Sequence, residues 1–231
     1  MSQTQQPVGP PVDWSPATPP RRAPIDGRYT SLEPLDPERH ADALWRSQAN
    51  DPELWTYSSS GPFTDLTSFR TWLSACAEPQ DPLCFAIVDR VDGEAKGMAS
   101  YLRVVPEHGV IEVGAIWFGA PLQRTRQATE AIYLMAREAF EALGYRRLEW
   151  KCDSLNAPSR RAAVRFGFDY EGLFRQAIVY KGRNRDTAWY AMLDADWPAL
   201  RAAFDAWLTP ENFDPDGTQR TPLATPRETA T

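Results

Sequence analysis

The residues from Glu112 to Thr129 show the clearest chemical pattern in the chain and read EVGAIWFGAPLQRTRQAT. The pattern predicts a strand that passes through a short loop directly into a helix. The first turn of a helix carries backbone N–H groups without intrahelical partners, and such groups are a general means of binding a pyrophosphate. Arg124 and Arg126 add positive charge at the same place. The stretch therefore predicts an anion-binding loop.

The charge around this loop supports the same interpretation. The whole chain has a formal net charge of −6, which argues against nonspecific binding of nucleic acid. From Pro121 to Arg165, however, nine basic residues stand against five acidic ones, a local balance of +4. A localised anion site in an otherwise acidic protein is the expectation.

Composition argues against several other kinds of site. The cysteines Cys76, Cys84 and Cys152 form no C-x-x-C pair and the histidines His40 and His108 are far apart, so no metal site is predicted. No run approaches the ~20 apolar residues of a membrane span, and the N-terminus lacks the pattern of a signal peptide. We therefore expect a cytoplasmic protein that binds neither membrane nor nucleic acid.

Length and composition predict one folded domain between two tails. The 231 residues, 42% of them hydrophobic, can bury one sizeable core. Residues 1–27 contain seven prolines, and residues 209–231 return to Pro, Thr, Asp and Glu. Both ends are predicted to be disordered tails around a domain at 28–208.

Apolar spacing and turn signals predict the elements of this domain. Asp92-Gly93 marks a hairpin turn and Pro106-Glu107-His108-Gly109 a second turn, so the strands around them should form an antiparallel meander. The predicted strands cover 29–35, 83–89, 96–105, 110–118, 147–153, 173–181 and 187–193, the last two around a turn at 182–186. The predicted helices cover 37–48, 64–77, 129–143, a short basic helix capped by Asn156, and 197–208. This order predicts a mixed α/β arrangement with one central βαβ crossover.

Two motifs together resemble a known family. The first is the loop Gln123-Arg124-Thr125-Arg126-Gln127-Ala128 with Thr129-Glu130-Ala131 at the helix start; the second is Asn156-Ala157-Pro158-Ser159-Arg160-Arg161 followed by Phe166-Gly167-Phe168. Both resemble GNAT N-acetyltransferases, and within them the Rim-type group, which includes ribosomal-protein N-terminal acetyltransferases. The resemblance covers about residues 28–195. It departs at Arg126, where the family loop usually has a glycine that lets the backbone approach a phosphate closely.

The resemblance implies a fold and a cosubstrate. The fold is the GNAT fold, a mixed, mostly antiparallel sheet with helices on both faces and a splayed strand pair that binds acyl-CoA. The cosubstrate is acetyl-CoA, without a metal. In this family pattern, backbone groups of Ile116, Trp117 and Phe118 would contact the pantetheine arm. The pyrophosphate would be held by Gln123, Arg124, Thr125, Arg126, Gln127, Ala128 and Thr129, the pantetheine also by Asn156, and the remaining phosphate by Arg160 or Arg161.

The implied reaction is attack of a neutral amine on a thioester, which needs a base and a proton donor for the thiolate. The motif region contains no histidine, so Glu112 is the expected base, acting through a water. Strand alternation would place Glu112 on one face with Gly114 and Ile116, although a glutamate there could also be a salt-bridged strand residue. The resemblance gives Ser159 as the proton donor, with Tyr180 and Tyr190 as alternatives.

The acceptor is expected to be a primary amine, most readily an α-amine of a protein N-terminus, a peptide or an aminoacyl-type small molecule. Roughly a sixth of an α-amine is neutral at pH 7, against about a few in ten thousand of a lysine amine, so a weak base suits the α-amine. Trp55, Tyr57 and Phe63 lie in an aromatic loop that is interpreted either as a core plug or as a substrate lid that contacts the acceptor.

Two other functions remain compatible with these patterns. One is a noncatalytic acyl-CoA-binding module that regulates a partner, and the other is an interaction protein built around the last helix. An exposed apolar face on that helix, 197–208, would also favour a homodimer. The patterns do not distinguish an acetyl donor from a longer acyl donor.

Overall fold

The computed structural model describes residues 6–48 and 51–226, and its centre is an eight-stranded sheet. The strands are β1 Ile25–Asp26, β2 Thr30–Pro34, β3 Leu83–Asp89, β4 Ala95–Val105, β5 Val110–Phe118, β6 Arg147–Asp153, β7 Asp169–Tyr180 and β8 Arg183–Leu193. Their order across the sheet is β1-β2-β3-β4-β5-β6-β8-β7. All neighbours pair antiparallel except β5 and β6.

Five α-helices cover both faces of this sheet. They are α1 Pro37–Gln48, α2 Leu66–Ala77, α3 Arg126–Arg137, α4 Ala157–Arg165 and α5 Trp197–Trp207. Leu44 of α1 and Phe69 of α2 belong to one buried cluster, whereas Ile132 of α3, Ala163 of α4 and Leu200 of α5 belong to the other. The two clusters lie on opposite faces, as the layered α/β prediction requires. Within the described ranges, no helix is long and apolar enough to span a bilayer.

The predicted βαβ crossover is formed by β5, α3 and β6. The two parallel strands pair only at their starts, from Val110 opposite Arg147 to Glu112 opposite Glu149. Beyond that point β5 follows β4 and β6 follows β8. The strands therefore separate past Glu112 and leave a gap in the sheet.

Helix α3 begins earlier than the sequence predicts. Thr125 caps it, because the Thr125 hydroxyl accepts a hydrogen bond from the backbone N–H of Ala128 at 3.2 Å. The helix therefore starts at Arg126 instead of residue 129 and brings its first turn directly after the loop. It continues into one π-helical turn at Glu138–Ala142.

The β7–β8 hairpin is longer and tighter than the sequence predicts. Its turn consists of Lys181 and Gly182, which both have positive φ, and residues 183–186 belong to β8. These residues are polar and largely exposed, so they lack the alternation by which a strand is recognised. The turn predicted at 182–186 is wrong for this reason.

Parts of both predicted tails pack against the domain. Trp14 Nε1 donates to the carbonyl oxygen of Glu107 at 2.9 Å, and Ala17 is buried. At the other end Phe213 and Leu223 are buried in the α3-side core. Disorder is therefore not found at these residues, because a few widely spaced apolar side chains anchor segments whose average composition is polar. Residues 1–5 and 227–231 lie outside the described ranges.

Candidate functional site

The gap between β5 and β6 leaves the backbone of the second half of β5 open on one edge. Ile116, Trp117 and Phe118 lie there, and β4 pairs with the opposite edge, with Met98 opposite Trp117 and Gly97 opposite Phe118. An extended ligand can pair with such an edge as a neighbouring strand would. The backbone is thus available for the contacts that we expect with a pantetheine arm.

A β-bulge in β5 changes which side chains share a face with Glu112. The register of β5 against β4 shifts between Gly114 and Trp117, and Ala115 has a positive φ of 47°. A bulge adds one residue to one strand, so side chains beyond it point to the faces opposite to those given by simple alternation. Trp117 therefore shares the face of Glu112, and Ile116 packs on the α3-side core. The expectation that Glu112 shares a face with Ile116 is wrong.

The loop before α3 presents backbone N–H groups at the end of β5. The N–H of Gln123 donates to the carbonyl of Gly119 and that of Thr125 to Leu122. The first N–H groups of α3, from Arg126 and Gln127, have no acceptor within the helix. They point out of the helix N-terminus, where the macrodipole also favours an anion. Of the N–H groups that the sequence analysis expects at the pyrophosphate, those of Gln123, Thr125 and Ala128 are therefore already hydrogen-bonded within the protein, whereas those of Arg126 and Gln127 remain available.

The arginines of α4 differ in what they contact, although the sequence analysis considers only Arg160 and Arg161 for the remaining phosphate. Arg160 donates to the hydroxyl of Tyr190 and to the carbonyl of Ser154, both at 3.3 Å, and Arg161 is exposed. Arg165 donates to the Thr129 hydroxyl at 3.0 Å, in the first turn of α3. Arg165 therefore brings charge to the helix N-terminus, and no local sequence signal separates it from the other arginines of α4.

Glu112 is the last residue of β5 that pairs with β6, and the gap begins beyond it. Its side chain is buried and accepts a hydrogen bond from Lys151 Nζ at 2.6 Å. The same ammonium group donates to Glu149 at 2.7 Å and lies 3.8 Å from the ring centroid of Trp189. Arg103 Nε is 3.5 Å from Glu112 Oε2. The salt bridge that the sequence analysis left open is therefore present.

The two carboxylates on Lys151 have opposite pKa shifts. Burial raises the pKa of Glu112 above its ordinary value, and the Lys151 ammonium only partly opposes this. Burial acts on Glu149 in the same direction, but hydrogen bonds from Lys151 and Arg147 lower its pKa overall. Pairs of acids whose pKa values are pushed apart often have different roles. Glu112 is the one whose environment favours uptake of a proton.

Ser159 and Asn156 lie at the start of α4, next to β6. Asn156 caps the helix, because its Oδ1 accepts the N–H of Ser159 at 3.1 Å. The Ser159 hydroxyl accepts a hydrogen bond from Trp150 Nε1 at 3.1 Å, so its own proton can be donated elsewhere. The hydroxyl of Tyr180, an alternative donor, donates a hydrogen bond to Asp153 Oδ2 at 2.8 Å. Burial and that hydrogen bond raise the pKa of Tyr180 to about 12.

Comparison with protein families identifies the chain. A family model described as an acetyltransferase (GNAT) domain matches residues 30–169, which is more than half of the chain. The protein belongs to the GNAT acetyltransferase family. It is therefore an acyltransferase, and the mixed sheet with its splayed strands and flanking helices is the GNAT fold.

Solved structures and a curated relative agree with this assignment. A GCN5-related N-acetyltransferase from Brucella melitensis is 45% identical, with a TM-score of 0.89 over 91% of this chain and 96% of that one. A GNAT-family protein from Chromobacterium violaceum is 44% identical, with a TM-score of 0.78 over 86% of this chain and 100% of that one. The uncharacterized N-acetyltransferase p20 of Bacillus licheniformis is 26% identical over 151 residues, 64% of this chain and 84% of that protein.

This GNAT chain accommodates the unusual Arg126 by turning its side chain onto two rings. The guanidinium lies 4.3 Å from the ring centroid of Tyr29 and 5.3 Å from that of Phe213. Arg126 is the first residue of α3 and has ordinary helical geometry, so only its backbone N–H need face a phosphate. Arg124, by contrast, is exposed and adopts a positive φ of 61° in the loop.

We expect the two arginines to differ in their effect on acetyl-CoA binding, the cosubstrate of GNAT enzymes. Loss of one charged hydrogen bond to a phosphate costs about 1.5 kcal/mol, so Arg124→Ala should raise the Kd about tenfold. Arg126→Ala should raise it by less than about threefold and should instead lower the Tm, since its stacking on Tyr29 and Phe213 is lost. Isothermal titration and thermal unfolding of both variants measure this. A larger loss of affinity in Arg126→Ala would contradict it.

The aromatic loop of this GNAT protein contributes to the core. Trp55 is 1% exposed, and its ring centroid lies 5.1 Å from that of Phe63, 5.3 Å from Trp72 and 5.6 Å from Trp117. Trp55 is therefore a core plug and cannot contact an acceptor directly in this conformation. Phe63 is half-buried in the same cluster, and Tyr57 is half-buried.

Proposed function

We propose that this GNAT enzyme transfers the acetyl group of acetyl-CoA to the α-amine of a peptide, protein N-terminus or aminoacyl-type small molecule, as Rim-type enzymes do. The observation that carries the proposal is the position of Glu112. This buried carboxylate with a raised pKa stands where β5 and β6 separate, next to the open backbone edge of β5. A base at that place can accept the proton of an amine that approaches the gap.

The residues around the gap fit the cosubstrate. The free edge of β5 at 116–118 suits an extended pantetheine arm, and the first N–H groups of α3 suit a pyrophosphate. Arg124 and Arg165 supply positive charge beside them. When bound, acetyl-CoA supplies an activated acetyl thioester.

Two side chains would carry out the proton transfers of the reaction, one as a base and one as a proton donor. Glu112 accepts the proton of the attacking amine through a water, and Ser159 donates its hydroxyl proton to the sulfur as the carbon–sulfur bond breaks. The new bond joins the amine nitrogen to the acetyl carbon. Trp150 Nε1 holds the Ser159 oxygen in place, and Lys151 holds Glu112.

A comparison of two amines tests the choice of acceptor. We expect an alanine peptide with a free N-terminus to be acetylated about two to three orders of magnitude faster at pH 7 than Nα-acetyl-lysine amide, because far more of the α-amine is neutral. Release of the free thiol with acetyl-CoA as donor measures both rates. Equal rates, or a faster reaction of the lysine side chain, would overturn the proposal.

A further inference from the structure

Three of the five buried side-chain atoms that have no hydrogen-bond partner lie on one face of the sheet. Among the described residues these five atoms are Trp117 Nε1, Arg185 Nε, Thr187 Oγ1, Tyr145 Oη and Thr225 Oγ1. Buried polar atoms are normally paired, so unpaired ones need an explanation. The first three are on β5, which borders the gap, and on β8, which pairs with β6 on the other side of the gap.

The strand registers place these three side chains on the face of Glu112. Glu112 is opposite Leu102 and Trp117 is opposite Met98, two residues of β4 that point to the same side. On β8, Arg185, Thr187 and Trp189 are each two positions apart and therefore share one face, and the ring of Trp189 lies over the ammonium group of Lys151. The neighbours of Thr187 on the opposite face, such as Ala188, are in the α3-side core. The three atoms therefore lie on the Glu112 face of the sheet, from which an acceptor amine would reach this carboxylate, and we call this face the acceptor side.

The tip of the β7–β8 hairpin encloses this region. Tyr180 donates to Asp153 Oδ2 at 2.8 Å at the end of β6. Lys181 Nζ donates to the carbonyl oxygen of Trp55 at 2.9 Å. These contacts join the hairpin both to β6 and to the aromatic loop, and Arg185 lies on β8 directly after the turn, opposite Ile178.

The unpaired atoms call for an acceptor of hydrogen bonds that carries negative charge. Arginine and tryptophan nitrogens are donors only, and a threonine hydroxyl can donate. No carboxylate of the described residues lies within ion-pair distance of Arg185, unlike Arg147 and Arg103 nearby. A planar guanidinium matches the two oxygens of a carboxylate. Thr187, at 3% exposed, would otherwise keep an unsatisfied hydroxyl.

The distance along β8 sets the length of the ligand. Ala191 is opposite Glu149, the partner of Glu112, whereas Thr187 is opposite Asp153. The four steps from Ala191 to Thr187 cover about 13 Å along β8, and Glu112 lies two strand spacings, about 10 Å, to the side, which makes the distance between Glu112 and Thr187 about 16 Å. An extended peptide covers about 3.5 Å per residue, so an amine near Glu112 and a carboxylate near Thr187 are about four to five residues apart.

We propose that Arg185 and Thr187 form a subsite for the C-terminal carboxylate of a short peptide of about four to five residues, whose α-amine is acetylated near Glu112. This rests on the proposed function, since it assumes an α-amine acceptor. It makes a free short peptide, instead of the N-terminus of a folded protein, the substrate class.

The test compares tetraalanine with its C-terminal amide. For the wild-type enzyme we expect the KM of tetraalanine to be at least about tenfold lower than that of the amide, because a charged hydrogen-bonded pair is lost in the amide. In Arg185→Gln the two KM values should become equal through a rise in that of tetraalanine alone, and Thr187→Val should act in the same direction. Arg175→Gln, which removes an exposed charge on β7, should keep the wild-type ratio.

Binding to the enzyme saturated with CoA separates this inference from the proposed function. A Kd for tetraalanine about tenfold below that of the amide supports the subsite even if no thiol is released, and lack of turnover then overturns only the proposed function. Equal Kd values, or no binding of either peptide, overturn the subsite. Dialanine is the length control, and binding as tight as that of tetraalanine would also overturn it.

Discussion

Glu112→Gln is expected to lower kcat by about 10²–10⁴-fold while the Kd for acetyl-CoA stays unchanged, because general-base catalysis contributes that much. The substitution keeps the shape of the side chain and its hydrogen-bond acceptor toward Lys151. Steady-state thiol release and titration of acetyl-CoA measure the two quantities.

Glu149→Gln is the matched control for this prediction. Glu149 is equally buried, lies opposite Glu112 in the neighbouring strand and accepts from the same ammonium group. If Glu112 serves only the salt bridge, both variants should lose activity to the same extent. We expect Glu149→Gln to lower kcat by less than about tenfold.

The pH profile gives a second readout for Glu112. A base must be deprotonated to act, so activity is present above its pKa and is lost as pH falls through it. Because burial raises the pKa of Glu112, the acidic limb of kcat should lie above the ordinary carboxyl range. The residual activity of Glu112→Gln should lack this limb, and a limb that persists there would assign it to another group.

Trp55→Ala is expected to lower the free energy of unfolding by about 3–5 kcal/mol, the usual cost of removing a fully buried large ring. The ring packs against Phe63, Trp72 and Trp117. Its Nε1 also donates to Gln48 Oε1 at 3.0 Å. Denaturant unfolding of the variant measures the loss.

Tyr57→Ala is the companion substitution in the same loop. Tyr57 is half-buried, so its loss should cost less than about 1.5 kcal/mol in stability. As an expected acceptor contact, it should instead raise the KM for the peptide. A small stability loss in Trp55→Ala would mean that the loop is a lid and not a part of the core.

Local patterns in the sequence predict much of the fold. The predicted bounds of β3, β5 and β6 are the observed ones, because mostly apolar runs in β3 and β5 and an alternation of polar and apolar residues in β6 lie between turn residues. Asn156 is the cap of α4 as predicted, since capping depends only on residues within one turn. The strand, loop and helix from Glu112 to Thr129 are equally local.

Other features depend on contacts between distant parts of the chain. The bulge at Ala115 inverts the faces of Ile116 and Trp117, and it exists only in the pairing of β5 with β4. The burial of Trp55 was not predictable from its loop, because an aromatic loop is apolar whether it covers a ligand or fills a core. The polar composition of the two terminal segments also gave no indication that Trp14 and Phe213 pack against the domain.

The sequence by itself determined the order of the elements, the crossover, the loop that leads directly into α3 and the presence of a carboxylate before it. All of these follow from propensity, periodicity and capping within short segments. Only the tertiary structure decided that Lys151 joins Glu112 to Glu149, that Arg165 reaches α3, and that Arg185 and Thr187 face the acceptor side unpaired. These relations depend on strand register and helix packing, which bring together residues far apart in the chain.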